Sequence, residues 1–477
     1  MSPFLSHTVN SVFDRFAAST DNPHVGNFIT DNRTCSAVFR RSFRKTFPSA
    51  VRGEGVYVWD SEGNRYLDFS GSAAVNFIGH GVPEISLAMA EQARQLEFVH
   101  TTQFTTPVAE EYAQDLLQFA GDKFTHGAVY FTSGGSEAIE TALKLARQYQ
   151  VEVRQTRRYQ ILSRSQSYHG STLGALSVSG NKRRREMYLP MVREFAHIGF
   201  PYCYRCAYDC SDSCFNCGQE YAAELEQAIK ASEGKAAAFI CEPISGATLG
   251  AVVPPEGYLK RIEEICRANG VLFIADEVMT GMGRTGNNFA VDHWDVTPDI
   301  LVTAKGLSSG YAPLGAVIAS KKVTDAIASG TGAFLHGFTY NAHPIAAAAG
   351  KAVLKKLKPL VSSADSKGEV TIAAHLHKSL NTLRDLDAVG DVRGIGLLLG
   401  IEFVSDKSSK CPFPPELNFA GKVGQAASKL GLLVYPMQGS VDGTSGDHLL
   451  IAPPAVITPE QIDWATQQLR QAITQAT

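Results

Sequence analysis

The sequence predicts an α/β fold: a mostly parallel sheet with helices on both faces, plus a smaller α+β domain. Three observations carry this. The apolar runs Ala128–Phe131, Ile161–Leu162, Ala236–Ile240, Val271–Ile274 and Ile300–Val302 lack polar alternation, as strands buried on both faces do. Between them lie segments of helical period, with Ile139, Leu143 and Ala146 in one and Tyr258, Ile262 and Ile265 in another. Each run ends in polar or glycine-rich text, and beyond Lys351 the rhythm changes.

Composition sets the outer bounds. The 477 residues are 44% hydrophobic and 19% charged, which suits a large core and excludes global disorder. Lys and Arg total 44 against 47 Asp and Glu, a net charge of −3, so a nucleic-acid partner held by bulk positive charge is not expected. No apolar run approaches the roughly 20 residues of a membrane helix. The first 16 residues carry Asp14 and Arg15 and no continuous apolar stretch, so no secretory signal is expected. The expectation is a cytoplasmic protein with neither nucleic-acid nor membrane partner.

Taken in order, the first 45 or so residues are polar and irregular, and the basic stretch Arg40–Lys45 reads as a solvated arm. From Gly53, GEGVYVWDSEGNRYLDF reads as a hairpin whose β-rich runs flank the turn Asp60–Asn64. Helices are expected over Pro83–Gln95 and Ala109–Phe119, followed by the five apolar strands and their helices. A helix over Ala342–Leu357 leads to strand-like text at Leu397–Phe403, Leu432–Tyr435 and His448–Ala452, and an amphipathic helix starts at Pro459. The expected organisation is an arm and hairpin (1–75) contributing to the small domain, a large domain (76–350) and a C-terminal α+β domain (351–477). No internal repeat or low-complexity tract interrupts it.

In a mostly parallel sheet ligands sit beyond the carboxyl ends of the strands. The first run passes through Thr-Ser-Gly-Gly-Ser-Glu straight into a helix, so Gly135 and Ser136 would offer backbone N–H groups to a phosphate. A glycine-rich turn before a helix is also an ordinary structural break. This one is neither GxGxxG nor a P-loop, which weakens nucleotide readings. Val271-Leu-Phe-Ile-Ala-Asp276 ends an apolar strand on an acid that is costly to bury unpaired. A cationic ring nitrogen would compensate it; a hydrogen-bonded strand-end aspartate is the plain alternative. Twenty-nine residues on, Lys305 stands among Ala304, Gly306 and Leu307. A desolvated lysine has a lowered pKa and can form a Schiff base. A phosphate cradle, a buried acid and an isolated lysine at neighbouring strand ends together fit pyridoxal phosphate.

The motifs TSGGSEAIETALKLAR, SYHGSTLGALSVSG, CEPISGA, DEVMTGMGRTG, AKGL, GFTYNAHP and VRGIGLLLGIEF resemble those of class III pyridoxal-phosphate-dependent aminotransferases, of fold type I. The likeness runs almost continuously from Gly53 to the C-terminal helix. It implies that Lys305 forms the internal aldimine and then acts as acid–base, that Asp276 pairs with the pyridine nitrogen, and that Tyr168 and Val278 flank the ring. It implies phosphate binding by Gly135 and Ser136, with Thr339 of the partner subunit, and an acid, Glu242, near the cofactor's phenolic oxygen. A homodimer with shared sites follows, moving an amino group from a small amino donor to an oxo acid by a ping-pong route. Decarboxylation, racemisation or an amino shift on the same scaffold is the alternative, and a non-catalytic cofactor-binding protein the remote one. His169 and Arg284 read as structural.

Two departures stand out. Met279 replaces a glutamine that many relatives carry. Leu450 stands where relatives acting on ω-amino acids often hold an arginine that clamps a carboxylate. Recognition of an α-carboxylate must then come from elsewhere, which leans the expectation toward amines and ω-amino donors. Arg393 belongs to a motif shared regardless of substrate. Of nine cysteines, five fall between Cys203 and Cys217 as two CxxC pairs with Cys210 between them. The spacing suits tetrahedral zinc, but the chemistry needs no metal, so no metal site is assigned and reduced thiols are the default.

Overall fold

The computed structural model describes residues 37–43, 45–208, 214–362 and 371–477. The chain divides into two units, 1–49 and 50–477. In the first, residues 37–49 carry no regular element among those described; Arg41 and Lys45 are exposed, as expected of a solvated arm, and Arg44 lies outside the described residues. The regular elements described lie in the second unit.

The hairpin forms where its turn chemistry places it. Asp60 Oδ1 accepts from the backbone N–H of Glu62 and Asn64 at 3.0 and 2.9 Å, the side-chain-to-backbone bonding that nucleates such turns. Strands β1 (Ala50–Glu54), β2 (Tyr57–Asp60) and β3 (Arg65–Asp68) form an antiparallel ribbon. A short strand from near the C-terminus extends it, Leu432 pairing in parallel with Leu67.

The large sheet holds β4 (Ala128–Thr132), β5 (Gln160–Arg164), β6 (His197–Ile198), β7 (Ala236–Cys241), β8 (Leu272–Asp276), β9 (Ile300–Thr303) and β10 (Gly315–Ala319), in the order β4-β10-β9-β8-β7-β5-β6. From β6 to β9 the pairing is parallel. β10 was not foreseen; it runs antiparallel to both neighbours, β4 and β9. Side chains alternate across the strands into two cores. Ala238, Ile240, Leu272, Ile274 and Val302 pack with Ile139, Ala142 and Ala146 of the helix Gly135–Glu152. Phe239, Phe273 and Leu301 face the other way, onto Ile262 and Ile265 of the helix Tyr258–Ala268. Each aliphatic or aromatic side chain so buried contributes about 1.5–3 kcal/mol. That explains the missing polar alternation.

The third sheet is antiparallel: β11 (Val389–Ile395), β12 (Leu398–Phe403), β15 (Asp447–Ile451) and β14 (Tyr435–Gln438), in that order, with β13 (Leu432–Leu433) belonging to the hairpin sheet. The expected strand Leu432–Tyr435 is thus split, because its two halves join different sheets. The last helix, Pro459–Ala476, starts at the residue expected. Thr458 caps it, its hydroxyl accepting from Gln461 N–H while the Gln461 side chain accepts from Thr458 N–H at 2.9 Å, with Pro459 in the first turn. None of the helices among the described residues is long and apolar enough to cross a membrane.

Candidate active site

Strand direction decides what meets at one edge of the large sheet. The carboxyl ends of β4, β5, β7, β8 and β9 open on the same side, and antiparallel β10 brings the segment before it there too. A cavity of about 450 Å³ lies at this edge, its polar wall formed by Gly135, Ser136, Tyr168, Glu242, Asp276 and Lys305. Seven of the eight residues singled out from the sequence line it, Val278 being the seventh. Thr339 does not; it is exposed on a separate loop of the same chain.

The helix Gly135–Glu152 begins after β4 without a side-chain cap. Its first N–H groups have no intrahelical or side-chain acceptor among the described residues, which suits an anion. Close packing fixes this turn. A Cβ on Gly135 would lie 3.1 Å from Val278 Cγ1, and one on Gly170 only 2.6 Å from Ser136 Oγ. The loop after β5 is tied to the helix start by Ser171 N–H donating to Ser136 Oγ at 3.1 Å.

Asp276, the last residue of β8, is buried. Its Oδ1 accepts from Val278 N–H at 3.1 Å, and its Oδ2 lies 2.7 Å from His169 Nδ1. The sequence reads His169 as structural, and the fold sets its ring against Asp276, where it can orient the acid. Its other ring nitrogen, Nε2, is buried without a partner among the described residues. Glu242 follows β7 and accepts from Tyr168 N–H at 3.3 Å and Gly246 N–H at 2.9 Å. Burial and the neighbouring Asp276 push its pKa up, against His169 and Arg164.

Lys305 follows β9 in a left-handed conformation, φ +43°, which costs a non-glycine residue on the order of 1–2 kcal/mol. It is half-buried in the cavity wall. Burial lowers its pKa from 10.5 to about 8, with Asp276 and Glu242 opposing and Arg184 and Arg284 adding to the fall. Near neutrality its Nζ gains and loses a proton far more readily than a surface lysine does.

Arg284 is tied into the interior by backbone contacts. Its guanidinium is buried and donates to the carbonyls of Ala452, Pro453 and Asn76 at 3.0, 2.6 and 2.8 Å. Arg393 likewise donates to Gly250 O at 2.8 Å and pairs with Asp391 and Glu402. Met279 lines the cavity. Leu450 packs in the apolar cluster of Ile244 and Ala247, two residues of the cavity wall. In the cysteine cluster Cys217 is disulfide-bonded, which corrects the expectation of a reduced thiol at that residue, while Cys206, Cys241, Cys266 and Cys411 are reduced. Cys210 and the Cys214 side chain lie outside the described residues.

The fold and the groups at its strand ends define a fold-type-I transaminase, a class in which pyridoxal phosphate is the cofactor. Residues 38–473 match the class III aminotransferase family, and the chain belongs to it. It is 41% identical over 433 residues to the uncharacterized aminotransferase YodT of Bacillus subtilis, covering 90% of this chain and 95% of that one. Among solved structures, a thermostable (S)-enantioselective omega-transaminase from Thermomicrobium roseum is 37% identical, with TM-score 0.82 over 91% of this chain and 93% of that one. An amine transaminase from an uncultivated Pseudomonas species, in its PLP-bound form, is 32% identical, with TM-score 0.84 over 94% and 100%. The chain is an aminotransferase.

Proposed function

We propose that this enzyme moves an amino group from an amine or ω-amino donor to an oxo acid, with Lys305 as its covalent anchor and proton carrier. The observation that supports this most directly is one cavity holding an uncapped helix start, a buried acid and a lysine of lowered pKa. These residues fit pyridoxal phosphate: the first N–H groups of the helix would hold its phosphate, Asp276 its protonated ring nitrogen, and Lys305 Nζ its carbonyl carbon. When bound, the cofactor supplies an electron sink that acidifies the C–H bond beside the donor nitrogen. Asp276, oriented by His169, would hold the ring nitrogen protonated. Tyr168 and Val278 would flank the ring, and Glu242 would stand near its phenolic oxygen. Lys305 Nζ would act as the base that takes the proton from the donor carbon.

The amine preference rests on three points. The cavity's remaining wall is largely apolar, with Val75, Ile244, Ala247 and Leu314. Leu450 stands where a clamping arginine would, and similar structures are omega- and amine transaminases. The reading includes a cytoplasmic homodimer in which exposed Thr339 serves the partner's phosphate. It also includes the division into arm and hairpin (1–75), large domain (76–350) and small domain (351–477). Exposed Leu173, Met187, Leu189, Met191 and Leu335 supply apolar surface suited to a two-fold interface. The test is spectroscopic. A panel of amines and amino acids, added without acceptor, should convert the bound cofactor to its pyridoxamine form, and an oxo acid should reverse it. Loss of carbon dioxide or racemisation instead of conversion would overturn the reading.

A further inference from the structure

The cavity as described has no arginine in its wall, and its acids Glu242 and Asp276 would repel an entering carboxylate. An oxo acid therefore needs a cation that is close and uncommitted. Most nearby guanidinium groups are taken. Arg284 is consumed by three backbone carbonyls, Arg164 by the Glu242 carbonyl, and Arg393 by Gly250, Asp391 and Glu402. Arg183 donates to Gln438 at 3.1 Å.

Arg184 differs. Its backbone is fixed, because the buried Asn181 side chain accepts its N–H at 3.1 Å and in turn donates to Gln166 at 3.0 Å. Its half-buried side chain stacks over Tyr168, Cζ 4.1 Å from the ring centroid, and makes no ion pair among the described residues. Tyr168 is part of the cavity wall, so the guanidinium rests on a side chain that lines the cavity. Its charge already reaches the site, since it contributes to the fall in the Lys305 pKa. A guanidinium resting on an aromatic face keeps its edge donors available for bidentate carboxylate binding.

We propose that Arg184 is the residue that receives the carboxylate of the acid substrate, swinging from its stacked position on Tyr168 to do so. This rests on the transaminase reading and names the group that selects its acceptor. Neutral amines would use the apolar wall and acids would use Arg184, so one cavity serves both substrates of a ping-pong cycle.

The test compares the holoenzyme with Arg184→Gln and Arg184→Lys. In the second half-reaction, the ratio of kcat/KM for pyruvate to that for benzaldehyde should fall about tenfold or more in Arg184→Gln, as expected when a charge-assisted bond is lost. Arg184→Lys should recover part of that ratio. Equal losses on both acceptors, or none, would overturn the proposal. Calorimetry with benzoate, which cannot be transaminated, separates this from the overall reading. Wild-type enzyme should bind benzoate at least about tenfold more tightly than Arg184→Gln. Equal affinities, or no binding to wild type, would refute the role of Arg184 even if transamination is observed.

Discussion

Replacing Lys305 by methionine should stabilise the cofactor-free fold, although it removes the residue on which turnover depends. The lysine pKa falls from 10.5 to about 8, chiefly through burial. At about 1.36 kcal/mol per pH unit, this is a penalty of about 3 kcal/mol on holding the charged amine in the cavity wall. Below about pH 8 the amine is charged in both folded and unfolded chains, so the full penalty is present at pH 7. Between about pH 8 and 10.5 the unfolded chain binds the proton and the folded chain releases it, so wild-type stability rises with pH. Methionine has similar length and no charge, and it inherits the same positive φ, so backbone strain cancels in the comparison. Urea unfolding of both cofactor-free proteins, at equal concentration, should show the variant more stable by about 3 kcal/mol at pH 7. The gain should shrink below about 1 kcal/mol at pH 10. A variant no more stable at pH 7, or one whose gain is unchanged at pH 10, would refute the argument that burial of Lys305 outweighs its attraction to Asp276 and Glu242.

Two further outcomes test the roles assigned around it. Asp276→Asn should cut turnover about a hundredfold while expression is retained, because an amide cannot keep a ring nitrogen protonated. His169→Gln should cost about tenfold, since it loses the charge-assisted contact to Asp276; unchanged rates in either would mean the pair faces something else. For the shared site, Lys305→Ala chains mixed with Thr339→Trp chains should regain partial activity, because one site per heterodimer keeps both a lysine and a donated loop. No recovery in isolated heterodimers would show that each chain completes its own site.

The helix Pro83–Gln95 matches its expected bounds residue for residue, and Pro107–Ala120 exceeds its own by two residues at the start and one at the end. Each is announced by a proline in its first turn and an apolar stripe. β10 escaped notice because GAVIA is short and nothing local distinguishes an antiparallel insertion from a loop. β11 escaped because Gly390, Asp391, Arg393 and Gly394 break its apolar pattern.

By itself, the sequence determined five strands of the large sheet, each end to within two residues, and the polar residues that stand at or just beyond them. Periodicity and end chemistry are set by neighbours along the chain, so they are written locally. Only the tertiary structure decided that His169 meets Asp276, 107 residues away, that the run before β10 joins the cavity wall, and that Arg184 lies on Tyr168. Those contacts depend on strand order and direction, which arise from burying two helical layers against one sheet at once; no short stretch of sequence encodes that competition.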